Sequence, residues 1–156
     1  MPDAPTIRCR PARREDVAAI VRLLADDGLG AGREMVSDPP AAGYLEAFEK
    51  IAANPRALLA VAEDASGVVV GTLQLTFIAG LSNQGAEQAL VSAVRVSSSL
   101  RGQRLGEAMM AWAMDEARAR GCTQMELLSH ASREAAHRFY ERLGFVKSHV
   151  GMKRAL

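Results

Sequence analysis

The residues best suited to chemistry lie between Val94 and Gly106, where an apolar, strand-like run gives way to a helix-forming one. The turn joining them, Arg101-Gly102-Gln103-Arg104-Leu105-Gly106, is rich in glycine and arginine. Backbone N–H groups and guanidinium charge therefore converge where the helix begins. A helix start has unpaired N–H donors and a partial positive charge, and both favour an anion. A strand feeding such a turn points to a ligand that carries phosphates. Spacing excludes two familiar phosphate loops. The turn has no Gly-Lys-Ser/Thr ending, and no G-x-G-x-x-G with an acidic residue about 20 positions on.

Bulk properties narrow the class. With 156 residues, a single domain over 1–156 is expected, and 49% hydrophobic content can build a sizeable core. A formal net charge of +1 sets up no strong field, so neither nucleic acid nor a membrane surface is an expected partner. Met1-Pro2-Asp3-Ala4-Pro5 lacks an apolar signal segment, and no apolar run reaches membrane-spanning length. A cytoplasmic protein is expected. Cys9 and Cys122 show no metal spacing and should remain reduced. His130, His137 and His149 are not spaced for a metal either. Ser129-His130 lacks the acidic partner and elbow glycines of a hydrolase.

The surrounding elements follow from periodicity and punctuation. Thr6 to Arg10 reads as an opening strand. Val17, Ile20, Val21 and Leu24 give a helix its apolar face, ending near Asp26. Gly28 to Gly43 is too broken to be regular, and Tyr44 to Asn54 forms a second helix before Pro55. Leu58 to Glu63 and Val68 to Ile78 form a hairpin around Asp64-Ala65-Ser66-Gly67. Ala79 to Gly85 is a turn, and Ala86 to Val96 is the strand entering the basic turn. Leu105 to Arg120 is the main helix, nearly buried and stopped by Gly121. Gln124 to Leu128 is a strand, Ser132 caps a helix to Leu143, and Phe145 to Val150 and Met152 to Ala155 are short closing strands. The order β-α-α-β-β-β-α-β-α-β-β is that of an α/β domain with a mixed sheet.

The basic turn resembles the acyl-CoA pyrophosphate loop of the GNAT superfamily of N-acetyltransferases, Arg/Gln-x-x-Gly-x-Gly/Ala, with Arg104 replacing its first glycine. Further on, Ala136-His137-Arg138-Phe139-Tyr140-Glu141-Arg142-Leu143-Gly144-Phe145 resembles the Ala-x-x-Phe-Tyr-x-x-x-Gly-Phe motif of the same superfamily. The two stretches occur in the family's order, and the resemblance covers nearly the whole chain. It implies the GNAT fold: a mixed central sheet of six to seven strands, about four helices, and two strands splayed to form an acyl-CoA cleft.

The resemblance also implies acetyl-CoA as cofactor and assigns residues to it. The Val94 and Val96 backbones would meet its acetyl and pantetheine amides. Arg101, Gly102, Gln103, Arg104, Leu105 and Gly106 would hold the pyrophosphate, and Phe139 would pack against sheet and cofactor. Arg104 can donate its N–H as a glycine does if its φ stays negative. Arg133 stands where the family often has an Asn facing the pantetheine. Tyr140 is implied as the general acid, although it also completes an apolar stripe with Ala136 and Leu143. For the base, Ser92 stands where relatives often carry Glu, which leaves Glu87, a water chain, or an amine that arrives partly neutral.

The implied reaction is acetyl transfer from acetyl-CoA to a primary amine of a small molecule through a ternary complex. Acceptor choice would fall to Gly28–Gly43, to Tyr44 and Phe48, and to Ala79–Gly85. Ala135 to Lys153 also resembles aminoalkylphosphonate acetyltransferases, notably in His137-Arg138-Phe139-Tyr140 and Ser148-His149, which implies an anionic amine. Acetylation of a protein lysine or N-terminus, and a non-catalytic CoA-binding module, are the alternatives. A homodimer is compatible with such folds, and no residue pattern fixes it.

Overall fold

Asp64 turns the chain back on itself by accepting N–H bonds from Ser66 and Val68, with Gly67 at φ 81°. The hairpin so closed, β2 (Ala57–Glu63) and β3 (Val69–Ile78), is the centre of the sheet. The computed structural model describes residues 6–156. Within them β1 (Arg8–Pro11) pairs with β2 and β4 (Gln88–Val96) with β3, both antiparallel. A fifth strand, β5 (Gln124–Leu127), joins β4 in parallel, so the sheet is mixed and ordered β1-β2-β3-β4-β5.

Period-two alternation along β3 divides the helices between two faces. Leu73, Leu75 and Phe77 join Ala89 and Val91 of β4 in a core with Met109, Met110, Ala113 and Ala117 of α4 (Leu105–Ala119). Thr72 and Gln74 turn the other way, toward α1 (Val17–Ala25) and α2 (Ala42–Ala52). A four-residue helical turn, α3 (Ser82–Gly85), precedes β4, and α5 (Glu134–Arg142) follows β5.

Several expectations are corrected. The sheet has five strands among the described residues, not six to seven, and α3 raises the helices to five. Neither closing strand forms; Phe145 to Val150 bends where it should extend, since the Ser148 N–H donates to the Val146 carbonyl only two residues back, at 2.9 Å. Ser132 does not cap α5, since its N–H and hydroxyl both meet Nδ1 of His130, and Arg133 takes the cap position. The main helix buries one face rather than most of its surface, with Trp112 and Met114 half-buried.

The site depends on where α1 ends, and a charged knot fixes where α1 begins. Arg10 of β1 donates to both oxygens of Asp16 at 2.7 and 3.0 Å and to Glu63 of β2 at 2.7 Å. Asp16 also accepts the Arg13 N–H at 2.7 Å, just before α1. Burial alone would raise the Asp16 pKa, but Arg10 and the Arg13 N–H outweigh it and hold the carboxyl below its ordinary 3.8. A lowered native pKa gives stability that is present above the unfolded value and is lost as pH falls through the native one. Arg10→Met strips the buried Asp16 and the half-buried Glu63 of their guanidinium partner and should lower unfolding free energy by about 3 kcal/mol at pH 7. Urea unfolding should show that deficit at pH 7 and a smaller one below about pH 4.

Candidate active site

Residues of β4 set the geometry. Thr72 faces Arg95 but Gln74 faces Ser92, so two steps along β3 match three along β4. The extra residue is a bulge at Ala93, whose φ of 51° lies in the left-handed region. The bulge resets the alternation. Val91 below it, and Val94 and Val96 above it, all pack toward the α4 core, while Arg95 turns to the α1 face. The same region parts β4 from β5, whose pairing ends at Val91 and Leu127. From Ser92 to Val96 the outer edge of β4 has no β5 ladder. Apart from the Val94 carbonyl, which accepts from Arg95 at 2.9 Å, backbone donors and acceptors left open this way suit an extended, amide-bearing ligand.

A cleft of about 290 Å³ opens at that edge. Its walls are Val94 and Val96, then Arg101, Gly102, Arg104, Leu105 and Gly106, and finally Arg133 at the start of α5 with Phe139 and Tyr140 within it. The structure thus gathers every expected site residue except two. Gln103 sits on the exposed crest of the turn. Glu87 precedes β4 at its far end, on the order of 20 Å along the strand from Val94, and is ion-paired with Arg56. Glu87 cannot reach the cleft, and its candidacy as base is withdrawn.

The turn is held from below by the end of α1. The Ser98 N–H donates to the Asp26 carboxylate at 2.8 Å, and Arg101 donates to the Asp26 carbonyl. That backbone hydrogen bond is the main reason the Asp26 pKa is lowered. Arg104 adopts φ 64°, contrary to the negative φ expected for it, and its side chain pairs with Glu107 at 2.8 Å. The left-handed geometry that this position demands explains why a glycine suits it. Gly106 is bare for another reason: a Cβ there would stand 3.1 Å from the Phe139 ring. Phe139 in turn lies edge-on to Tyr140 at 5.1 Å, with Arg142 5.9 Å from its ring centre.

Charge is concentrated around Tyr140. Burial pushes its phenol above the ordinary 10.0, and Arg133 and Arg95 act against that shift. The group is therefore a neutral O–H donor across the physiological range. Arg95 lies 2.9 Å from Asp27, and Arg133 reaches the same carboxylate at 4.0 Å. Burial raises the Asp27 pKa, but the Gly30 N–H and the two arginines hold it below the ordinary value. Cys9 is pushed up to about 11 by burial and is no thiolate at neutral pH. Arg142, Asp26, Asp27 and Arg95 were not singled out from the sequence. Arg142 fills a variable position of the second motif, and the two aspartates read only as a helix end.

Residues 15–145 match the Acetyltransferase (GNAT) family. The chain belongs to that family. Over 94 residues it is 38% identical to the aminoalkylphosphonate N-acetyltransferase of Salmonella typhimurium, a stretch amounting to 58% of either chain. The chain therefore covers less than two-thirds of that relative's length. A crystal structure described as a transcriptional regulator from Bacillus halodurans has a TM-score of 0.93 at 38% identity, covering 97% of this chain and all (100%) of that one. A predicted acetyltransferase from Clostridium acetobutylicum, crystallised with acetyl-CoA, shares the fold at TM-score 0.71 and 17% identity, over 95% and 96% of the two chains.

As a GNAT acetyltransferase, the chain carries the family's α/β fold with its mixed sheet. GNAT enzymes generally use acetyl-CoA. Among the described residues, no helix is long and apolar enough to cross a membrane. The departure of this GNAT turn from the family pattern has a measurable cost at Arg104. A non-glycine residue in the left-handed region costs about 1–2 kcal/mol, and the exposed pair with Glu107 returns little of it. Arg104→Gly should raise unfolding free energy by about 1 kcal/mol, read as a higher thermal midpoint at fixed pH and salt.

Proposed function

We propose that the protein transfers the acetyl group of acetyl-CoA to the primary amine of a small molecule, directly and within a ternary complex. The observation that carries this reading is one cleft joining three features: the open edge of β4, the basic turn and the Tyr140 hydroxyl. The fit to acyl-CoA rests on the bare start of α4. The first-turn N–H groups have no helical partner there, and Gly106 leaves room beside Phe139. Arg101 and Arg104 add charge for a pyrophosphate, and the Val94 and Val96 backbones offer amide partners, the Val94 carbonyl after release from Arg95.

Acetyl-CoA supplies an activated thioester, and the remaining tasks fall to the chain. Nitrogen bonds to the acetyl carbon while the carbon–sulfur bond breaks, so a proton must leave the amine and another must reach the thiolate. Tyr140 holds the second proton, because burial keeps its phenol neutral. With Glu87 remote, the amine's proton leaves through water at the open side of the cleft. The aminoalkylphosphonate relative supports a small amine as acceptor.

Tyr140→Phe keeps the ring and its contacts with Phe139 and Phe145 but removes the proton. It should lower kcat by about a hundredfold to a thousandfold, measured as thiol release, with acetyl-CoA affinity little altered. In the wild type, this group's contribution should persist as pH rises and fall only above the ordinary tyrosine value of 10.0. An unchanged rate in the variant would remove Tyr140 as the acid.

A further inference from the structure

The apolar face of α2 has little beneath it. Tyr44, Phe48 and Ile51 share that face, yet among the described residues α2 contributes none to the buried core. Between these three and Val17, Ile20 and Val21 of α1 lies a cavity of about 130 Å³, floored by β2 and β3. An apolar cavity of roughly this volume stays dry and accepts a benzene-sized guest.

Its walls leave little polar chemistry for that guest. The Thr72 hydroxyl is spent on the Ala60 carbonyl at 2.9 Å. The Tyr44 hydroxyl is taken up by the preceding loop, accepting the Met35 N–H at 2.9 Å and donating to Glu34 at 2.8 Å. Gln74 brings a side-chain amide, but it stands opposite Ser92, on the β4 side. A polar group without a partner is costly in such a space.

The β4 side is also where the cavity meets the reaction. Ala93, the bulge residue, lines the cavity and is exposed. The next residue, Val94, lines the cleft that holds Tyr140. One bulge therefore borders both spaces, and successive strand residues are only about 3.3 Å apart.

Resting on the acetyl-transfer reading above, we propose that the acceptor is a primary amine carrying a phenyl-sized apolar group on a short linker. The ring enters between α1 and α2, past Ala93, and the nitrogen stays at the open edge of β4 beside Val94. Bound there, the ring completes the packing that α2 lacks, and the cavity selects acceptors by size and polarity.

The test follows thiol release at saturating acetyl-CoA with ethylamine, phenethylamine and tyramine. Phenethylamine should exceed ethylamine in kcat/KM by at least about tenfold, since one buried methylene already supplies that ratio. Tyramine should fall below phenethylamine, because its hydroxyl finds no partner in the cavity. Ala47 lines the cavity from α2 and is exposed, so Ala47→Leu suits the helix and fills part of the space. The preference should then collapse through KM, with circular dichroism showing a folded protein, and Ile51→Phe is the second filling variant. Phenethylamine without acetyl-CoA should raise the thermal midpoint of the wild type and not of the filled variants. Equal use of ethylamine and phenethylamine overturns this proposal alone, as does a preference or thermal shift that survives filling. Turnover of none of the three amines overturns the acetyl-transfer reading and this proposal with it.

Discussion

Backbone hydrogen-bonding groups do not tolerate being left unpaired in an interior, and the upper half of β4 is where this fold breaks its ladder. The bulge at Ala93 is the device. One extra residue bends the strand from its β5 neighbour and resets which side chains face which layer. Val94 and Val96 can then line a cleft while Arg95, between them in sequence, reaches the opposite face. Without the bulge, Arg95 would continue the alternation of Val91 into an apolar core, where an unpaired charge is very costly. The cleft and the guanidinium cluster are therefore two results of one backbone irregularity.

The second constraint is the end of α1. Arg10, Asp16 and Glu63 fix the start of that helix against β1 and β2, and its last residues reach the site. Asp26 holds Ser98 and Arg101 at the base of the basic turn, and Asp27 meets Arg95 and Arg133. The proposed phosphate-binding turn and the Arg95 and Arg133 side chains are thus tied to adjacent residues of one helix end. Phe139 supplies the other tie, packing onto Gly106 and setting Tyr140 beside the cleft.

Much of this was legible in the sequence because local rules carry it. Glycines and arginines before a helix mark a charged N-terminus, and the amphipathic run up to Leu143 read correctly as a helix ended by Gly144. What the sequence hid was non-local. The bulge leaves no compositional trace, since Ala93 is an ordinary residue in an unusual conformation. Asp27 and Arg95 lie far apart in sequence, and only packing brings them together. Glu87 looked near the site because sequence distance is short, but an extended strand turns a few residues into a long separation. The first closing strand failed for a local reason, the tight turn at Ser148, that outweighed the apolar content of Phe145 to Val150.

The central claim is that the cleft between β4 and β5 binds acetyl-CoA against the bare start of α4. Calorimetric titration with acetyl-CoA, comparing wild type with Gly106→Trp, tests it most directly. The indole would displace Phe139 and fill the cleft, while circular dichroism checks that the variant stays folded. Micromolar binding by the wild type, lost in a folded variant, is the expected result. No binding by the wild type, or equal binding by both proteins, would contradict the claim.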